Sequence, residues 1–278
     1  CRSQSFDPAL QVYAPMPWSV RQELLPDLKF FSSQDIPSDF FRTFVWWPWD
    51  KLLRRQFITS HQLRFQEIRT TNDLFFVCAF MLMANRISVL NETLISHTIN
   101  RSESLSATRA ESHRCAVEAL VALKAFICQQ GMMEHRLRDY KNYVVVFLEW
   151  HLNTISGPAF HPFYQQVKEF VVALDAKSDD FYDEFIAAAH HRITTLSAEE
   201  YLFSLKDRVL KELEFFQARS SALQQEVETL THSFAGQKDE NAILHNQLHE
   251  IEERVTEQEQ NIRQLTDKNN DMHHEMTI

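Results

Sequence analysis

The sequence predicts an all-α protein with an irregular N-terminal arm, a helical bundle head and a long C-terminal coiled-coil helix. Three observations carry that prediction. Only 3 of the 278 residues are glycine, where average usage of about 7% would give roughly nineteen. Glycine reaches positive φ without strain, so a chain this poor in it has little use for tight hairpins, phosphate-cradling loops or dinucleotide-binding turns. From Ser197 onward there is no proline, and apolar residues recur at alternating spacings of four and three, the period of a left-handed coiled coil. Between arm and coil, helical periodicity is interrupted at Gly131 and at Gly157-Pro158, which pair a helix C-terminal residue with a breaker.

The arm, residues 1–70, holds most of the eight prolines and reads as short helices joined by turns. Ser19 with Gln22 has the spacing of a capping box, and Ser38 stands as a cap before "DFFRTFV". The head, residues 71–196, opens with a nearly continuous apolar run, "LFFVCAFMLMA", so a central buried helix is expected from Asn72 to about Asn100. That run, Leu74 to Ala84, falls short of the roughly 18 residues that suggest a membrane span. A polar connector, "NRSESLSATRAES", leads to a helix from about Glu111 to Gln130 with Ala116, Leu120, Leu123 and Ile127 on one face. Further helices are expected over Met132–Ile155, Phe163–Ala176 and Asp179–His191.

The coil, residues 197–278, starts at a capping box of Ser197 and Glu200. With Leu213 at heptad position a, the a series continues through Ser220, Val227, Phe234, Asn241, Leu248, Val255, Ile262, Asn269 and Met276. The d series runs through Val209, Phe216, Leu223, Leu230, Gln237, Leu244, Ile251, Gln258, Leu265 and Met272. Apolar residues dominate this seam across nearly ten heptads, and a single helix has nowhere to bury them. Asn241 and Asn269 both fall at a, where a buried amide pairs with its symmetry mate and specifies a parallel dimer at a cost in stability. Gly236, beside Gln237 and Asn241, marks a weak place, since glycine costs about 1 kcal/mol of helix propensity relative to alanine.

Charge and cysteine content bound the function classes. The net charge is −10 with pI near 5.7, which argues against nucleic acid as a partner, because such proteins carry a basic footprint. Residues 1–200 hold 20 basic and 23 acidic groups, and residues 201–278 hold 8 and 15. The cysteines, Cys1, Cys78, Cys115 and Cys128, show no C-x-x-C pairing, and three lie in apolar helical surroundings as small hydrophobes. A cytoplasmic protein is the expectation, as is the absence of any cofactor.

Two stretches invite a chemical reading. "DDFYDE" places Asp179, Asp180 and Asp183 in a D-D-x-x-D spacing that resembles the aspartate-rich motif with which class I terpene synthases hold Mg²⁺ against a diphosphate. The second metal-binding helix of that family has no counterpart downstream, where the coil lies, and acidic residues are common in the first turn of a helix. No catalytic or metal residue is therefore assigned, with these aspartates the weak candidates for a metal. "FVWWPWDKLLRR", Phe44 to Arg55, gathers three of the chain's five tryptophans. Pro48 favours extended geometry at Trp47 and can open a helix from Trp49 to about Phe57. Trp46, Trp47 and Trp49 then wedge the bend into the core, or with Arg54 and Arg55 present a protein-docking surface or a membrane-interface anchor.

The function expected from these features is a non-enzymatic adaptor, tether or scaffold, in which the coil dimerises two heads that bind a protein partner. The competing expectation is a head with Mg²⁺-dependent diphosphate chemistry or lipid-binding activity, dimerised by the same coil.

Overall fold

The computed structural model describes residues 1–99 and 105–275, with side chains described except at 105–108 and 266–275. The chain divides into two compact units, Cys1–Leu205 and Lys206–Ile278. It is mostly helical, with eight α-helices among the described residues and one small sheet. The first part of the "NRSESLSATRAES" connector, residues 100–104, lies outside the described residues.

The sheet is the departure from an all-α protein. β1 (Arg2–Asp7) pairs antiparallel with β2 (Val12–Met16) and parallel with β3 (Thr93–Thr98), giving the order β2-β1-β3. The hairpin turns without glycine. Asp7 Oδ1 accepts the backbone amides of Ala9 and Leu10 at 2.9 and 3.3 Å, and Gln11 takes the left-handed conformation at φ 54°. Aspartate's short acceptor replaces what glycine usually provides in a hairpin, so glycine scarcity was a weaker constraint than it looked.

The arm is held by cross-chain bonds more than by local helix. Ser19 caps no helix. It ends a single 3-10 turn, Pro17–Ser19, and the backbone at Val20 and Arg21 then runs extended beside 43–45, with Arg21 N donating to Thr43 O at 3.0 Å and Val45 N to Ser19 O at 3.1 Å. The first of these bonds satisfies an amide, Arg21 N, that a helix start at Ser19 would have left without an intrahelical partner. Likewise Ser38 gives way to Asp39, a left-handed residue at φ 55° that precedes the single turn α1 (Phe40–Thr43). A buried ionic cluster fastens this region to the core. Arg136 Nη1 donates to Asp139 at 2.8 Å and to Ile36 O at 3.0 Å, its Nη2 donates to Ser33 O, and Asp139 Oδ1 accepts Asp39 N at 2.6 Å. Burial raises the Asp39 carboxyl to about 6, with Arg42 and Arg21 opposing the shift and Asp139 and Asp183 adding to it.

α3 (Asn72–Met83) is the expected central helix, fully buried from Phe76 to Leu82. It stops well before Asn100 because Ile87 exchanges both backbone hydrogen bonds with Phe31, at 3.0 and 2.6 Å, and the chain then enters β3. α4 (Arg114–Gln129) packs on α3 and buries the predicted face of Ala116, Leu120, Leu123 and Ile127. Gly131, at φ 67°, ends it as expected. α5 (Met133–Thr154) threads the core with Tyr140, Val144 and Leu148 wholly buried, and Tyr140 Oη donates to Leu120 O at 2.9 Å. α6 (Phe160–Val172) and α7 (Glu184–Thr195) pack on α5 and on each other.

α8 (Ala198–Glu275) begins at the predicted box, Ser197 N donating to Glu200 Oε2 at 2.7 Å and Glu200 N to Ser197 Oγ at 3.1 Å. Its first two turns belong to the first unit, where Tyr201 is fully buried and its hydroxyl donates to Asn153 Oδ1 at 2.9 Å. Helix continues unbroken through Gly236, and no described helix is long and apolar enough to cross a membrane.

Candidate functional site

The bend at Trp46–Trp49 is organised by one lysine. Lys51 Nζ donates to Val45 O at 2.6 Å, to Trp47 O at 2.8 Å and to Asp50 Oδ1 at 2.6 Å. All three ammonium donors are thereby used, and they fold the chain back where a helix from Trp49 was expected. The helix that does form, α2 (Arg55–Ser60), starts later. Asp50 and Lys51 are both nearly buried, and burial works against both charges, raising the Asp50 carboxyl and lowering the Lys51 ammonium while each opposes the shift of the other.

The three tryptophans divide. Trp46 lies edge-on to Phe147 of α5 at 5.7 Å and packs on the core. Trp47 and Trp49 stack on each other at 4.5 Å, with Trp18 edge-on to Trp47 at 5.0 Å and His97 of β3 stacked on Trp49 at 5.2 Å. Burial lowers the His97 pKa, favouring the neutral ring in this stack. Trp18 and Trp49 remain 47% and 37% exposed. The wedge thus accounts for Trp46, whereas Trp47 and Trp49 form a partly open aromatic stack that ties the bend to the sheet. Arg54 and Arg55, at the start of α2, are exposed.

Beside that stack lies a cleft of about 930 Å³ that sequence reasoning missed. Its walls come from the bend, the C-terminal end of α3, the loop after it and the start of β3, with Phe57, Phe80, Met81, Ile87 and Ile95 among the apolar lining. Asp50, Lys51, Arg54 and Arg86 supply its charge. These segments are far apart in sequence, and of them only the tryptophan stretch stood out in the sequence; the residues after α3 and at the start of β3 carry no motif.

The aspartate motif does not converge. Asp180 Oδ2 accepts Lys141 Nζ at 2.8 Å and Lys177 N at 2.9 Å, and Asp183 Oδ1 caps α7 by accepting Ile186 N at 2.8 Å. The side chain of Asp179 takes the Ser178 hydroxyl at 3.3 Å. Each carboxylate has a local structural partner, and among the described residues no group of three or more His, Cys, Asp or Glu side chains is placed to hold a metal ion. The cysteines are free thiols. Burial pushes Cys78 up to about 12, so it stays an inert thiol in the core. Cys115 is also buried, and Cys128, against expectation, is exposed.

On α8 the heptad seam is a continuous apolar stripe open to solvent. The thirteen apolar seam positions with described side chains, Val209 to Leu265, are all exposed, from 48% at Val255 to 70% at Phe234. Asn241 is exposed among them. Asn269 and Met272 lie where side chains are not described, and Met276 lies outside the described residues. Off the seam, Ser221, Thr229, Thr231 and Thr256 bond back to the carbonyl four residues earlier, so their hydroxyls are satisfied within the helix. Comparison with protein-family models, with curated proteins and with solved structures finds no match for this chain.

Proposed function

We propose that two copies of the chain pair in parallel through α8 and that the resulting dimer is a non-enzymatic scaffold or tether whose two helical units dock a protein partner. The observation that carries this reading is the exposed seam. Monomeric proteins rarely leave contiguous apolar patches larger than a few hundred Å² open to water, and this one repeats with heptad periodicity along the second unit. A second copy is the occupant the pattern favours. Val227, Val255 and Ile262 place β-branched side chains at a, and Leu223, Leu230, Leu244 and Leu265 stand at d, the combination that favours two parallel strands. Asn241 then meets its own symmetry mate, an arrangement that an antiparallel or shifted pairing would leave unsatisfied.

Dimerisation alone confers function by avidity. Two identical docking units on one molecule turn a second weak contact into an intramolecular one, raising overall affinity by about 10²–10⁴ when geometry allows both to engage.

The test is oligomeric state and strand direction in the full chain. Light scattering should report a dimer at tens of micromolar. In a Cys128→Ser background, Leu244→Cys should oxidise to a covalent dimer, because d-position side chains face each other across a parallel, in-register interface. A monomer at that concentration overturns the reading, and a dimer without the crosslink overturns the parallel register.

A further inference from the structure

We infer that the cleft beside the tryptophan stack is a binding site for a single long-chain acyl carboxylate, with the chain in the cleft and the carboxylate at Arg54 and Arg86. The cleft's volume of about 930 Å³ falls within the range of small-molecule sites, and its composition, mostly apolar with a few polar groups, is theirs as well. Aliphatic and aromatic side chains form the interior. The mouth is apolar too. Leu52 is fully solvent-exposed, and Leu90 and Leu94 are each 56% exposed, so three leucines ring an opening that water covers poorly.

Charge selects the head group. Asp50 is the sole carboxylate among the described lining residues, and Lys51 neutralises it at 2.6 Å. Lys51 has no donor left for a ligand, because its other two hydrogens go to Val45 O and Trp47 O. Two cations remain. Arg54 is exposed, and neither it nor Arg86 has a carboxylate within ion-pairing distance among the described residues. Arg86 lies over the Phe30 ring, its guanidinium carbon 3.9 Å from the centroid, a cation–π contact that holds the group in place and uses none of its N–H donors on a carboxylate. A guanidinium edge matches a carboxylate bidentately. The cleft therefore joins an apolar interior to a net positive rim on a chain whose overall charge is −10.

Trp49 forms part of the wall and reports on occupancy. Dibromostearate, whose bromines quench indole fluorescence at contact, should quench the full-length protein saturably below its critical micelle concentration. Trp49→Phe should remove the largest share of that quenching, while displacement by unlabelled stearate should restore the parent signal. Arg54→Gln and Arg86→Gln should each weaken binding about tenfold, the loss of one charge-assisted contact, and both should melt like the parent because these side chains are exposed. Stearyl alcohol should bind more weakly than stearate. No saturable quenching would overturn the proposal. Equal binding of alcohol and acid would overturn the carboxylate assignment, and cosedimentation with anionic phospholipid vesicles without binding of free stearate would replace the site with a membrane-facing surface.

Discussion

Leu244→Ala should weaken the proposed dimer about a hundredfold, and Ile243→Ala should leave it unchanged. The two residues are adjacent, both aliphatic, and 60% and 57% exposed in the single chain. They differ in heptad position, Leu244 at d on the seam and Ile243 at c on the outer face. Truncating leucine to alanine deletes three carbons, worth ~2.4 kcal/mol at about 0.8 kcal/mol each when fully buried. Since Leu244 is already two-fifths covered by its own helix, pairing has roughly six-tenths of that left to gain, or ~1.4 kcal/mol per chain. Two copies double it to ~3 kcal/mol, which is about two decades in Kd. A cavity left between the helices adds to that figure. Sedimentation equilibrium across a concentration series, with helicity followed by circular dichroism, measures the shift directly. Should both variants weaken association equally, the stripe is a diffuse sticky surface and the heptad frame is wrong. If neither does, α8 does not form the interface.

Asn241→Leu should raise the melting temperature of the dimer while admitting trimers or shifted registers, because it replaces a polar register device with an apolar core residue; a lower melting temperature with a strict dimer would refute the frame. Gly236→Ala should stabilise α8 by about 1 kcal/mol, since a Cβ there meets nothing within 4 Å and the position, c, faces away from the seam; calorimetry showing destabilisation would place Gly236 in a contact the helix alone does not reveal. Trp46→Ala should lower the melting temperature more than Trp49→Ala, with a cost of about 3 kcal/mol, the low end for aromatic truncation because Trp46 is only partly buried; identical melting would show that the bend is not wedged by Trp46. Asp39→Asn tests the buried cluster through pH. The Asp39 carboxyl is raised to about 6 by burial, so the folded state binds its proton more tightly than the unfolded chain does, and the carboxylate's burial penalty is present above pH 6 and relieved as pH falls toward 4. Asparagine tolerates the left-handed conformation at this position and cannot titrate. The stability of the parent relative to the variant should therefore rise as pH drops from 7 to 4, and a flat difference measured by urea titration would sink the assignment.

What was legible in the sequence follows the range of the interaction. The Ser197–Glu200 box, the α4 face and the end at Gly131 depend on residues within a turn or two of each other, and each lies where periodicity put it. The sheet was not legible, because its stability comes from pairing residues 2–7 with residues 93–98, and β3 contains no alternation strong enough to override the expectation of a continuing helix. The hairpin between β1 and β2 was hidden for a different reason. Asp7 and Gln11 perform a turn that composition statistics assign to glycine. Ser19 shows the same competition from another side: a local capping pattern lost to backbone pairing with residues 43–45, which no window around Ser19 contains.

The tryptophan stretch sits at the boundary between the two kinds of information. Its density of indoles marked it as consequential, and the ring of Trp46 does reach the core at Phe147. What the sequence could not supply was the sign of the charge around it. Read linearly, "WDKLLRR" offers three cations against one carboxylate, and nothing says which of them are spent. Lys51 turns inward to hold two carbonyls and Asp50, which removes one charge of each sign from the surface and leaves Arg54 as the cation of this stretch at the cleft. Arg86, more than thirty residues away, becomes its companion only because the chain leaves α3 early to pair Ile87 with Phe31. The character of the cleft is thus a consequence of where α3 stops, a boundary set by tertiary pairing.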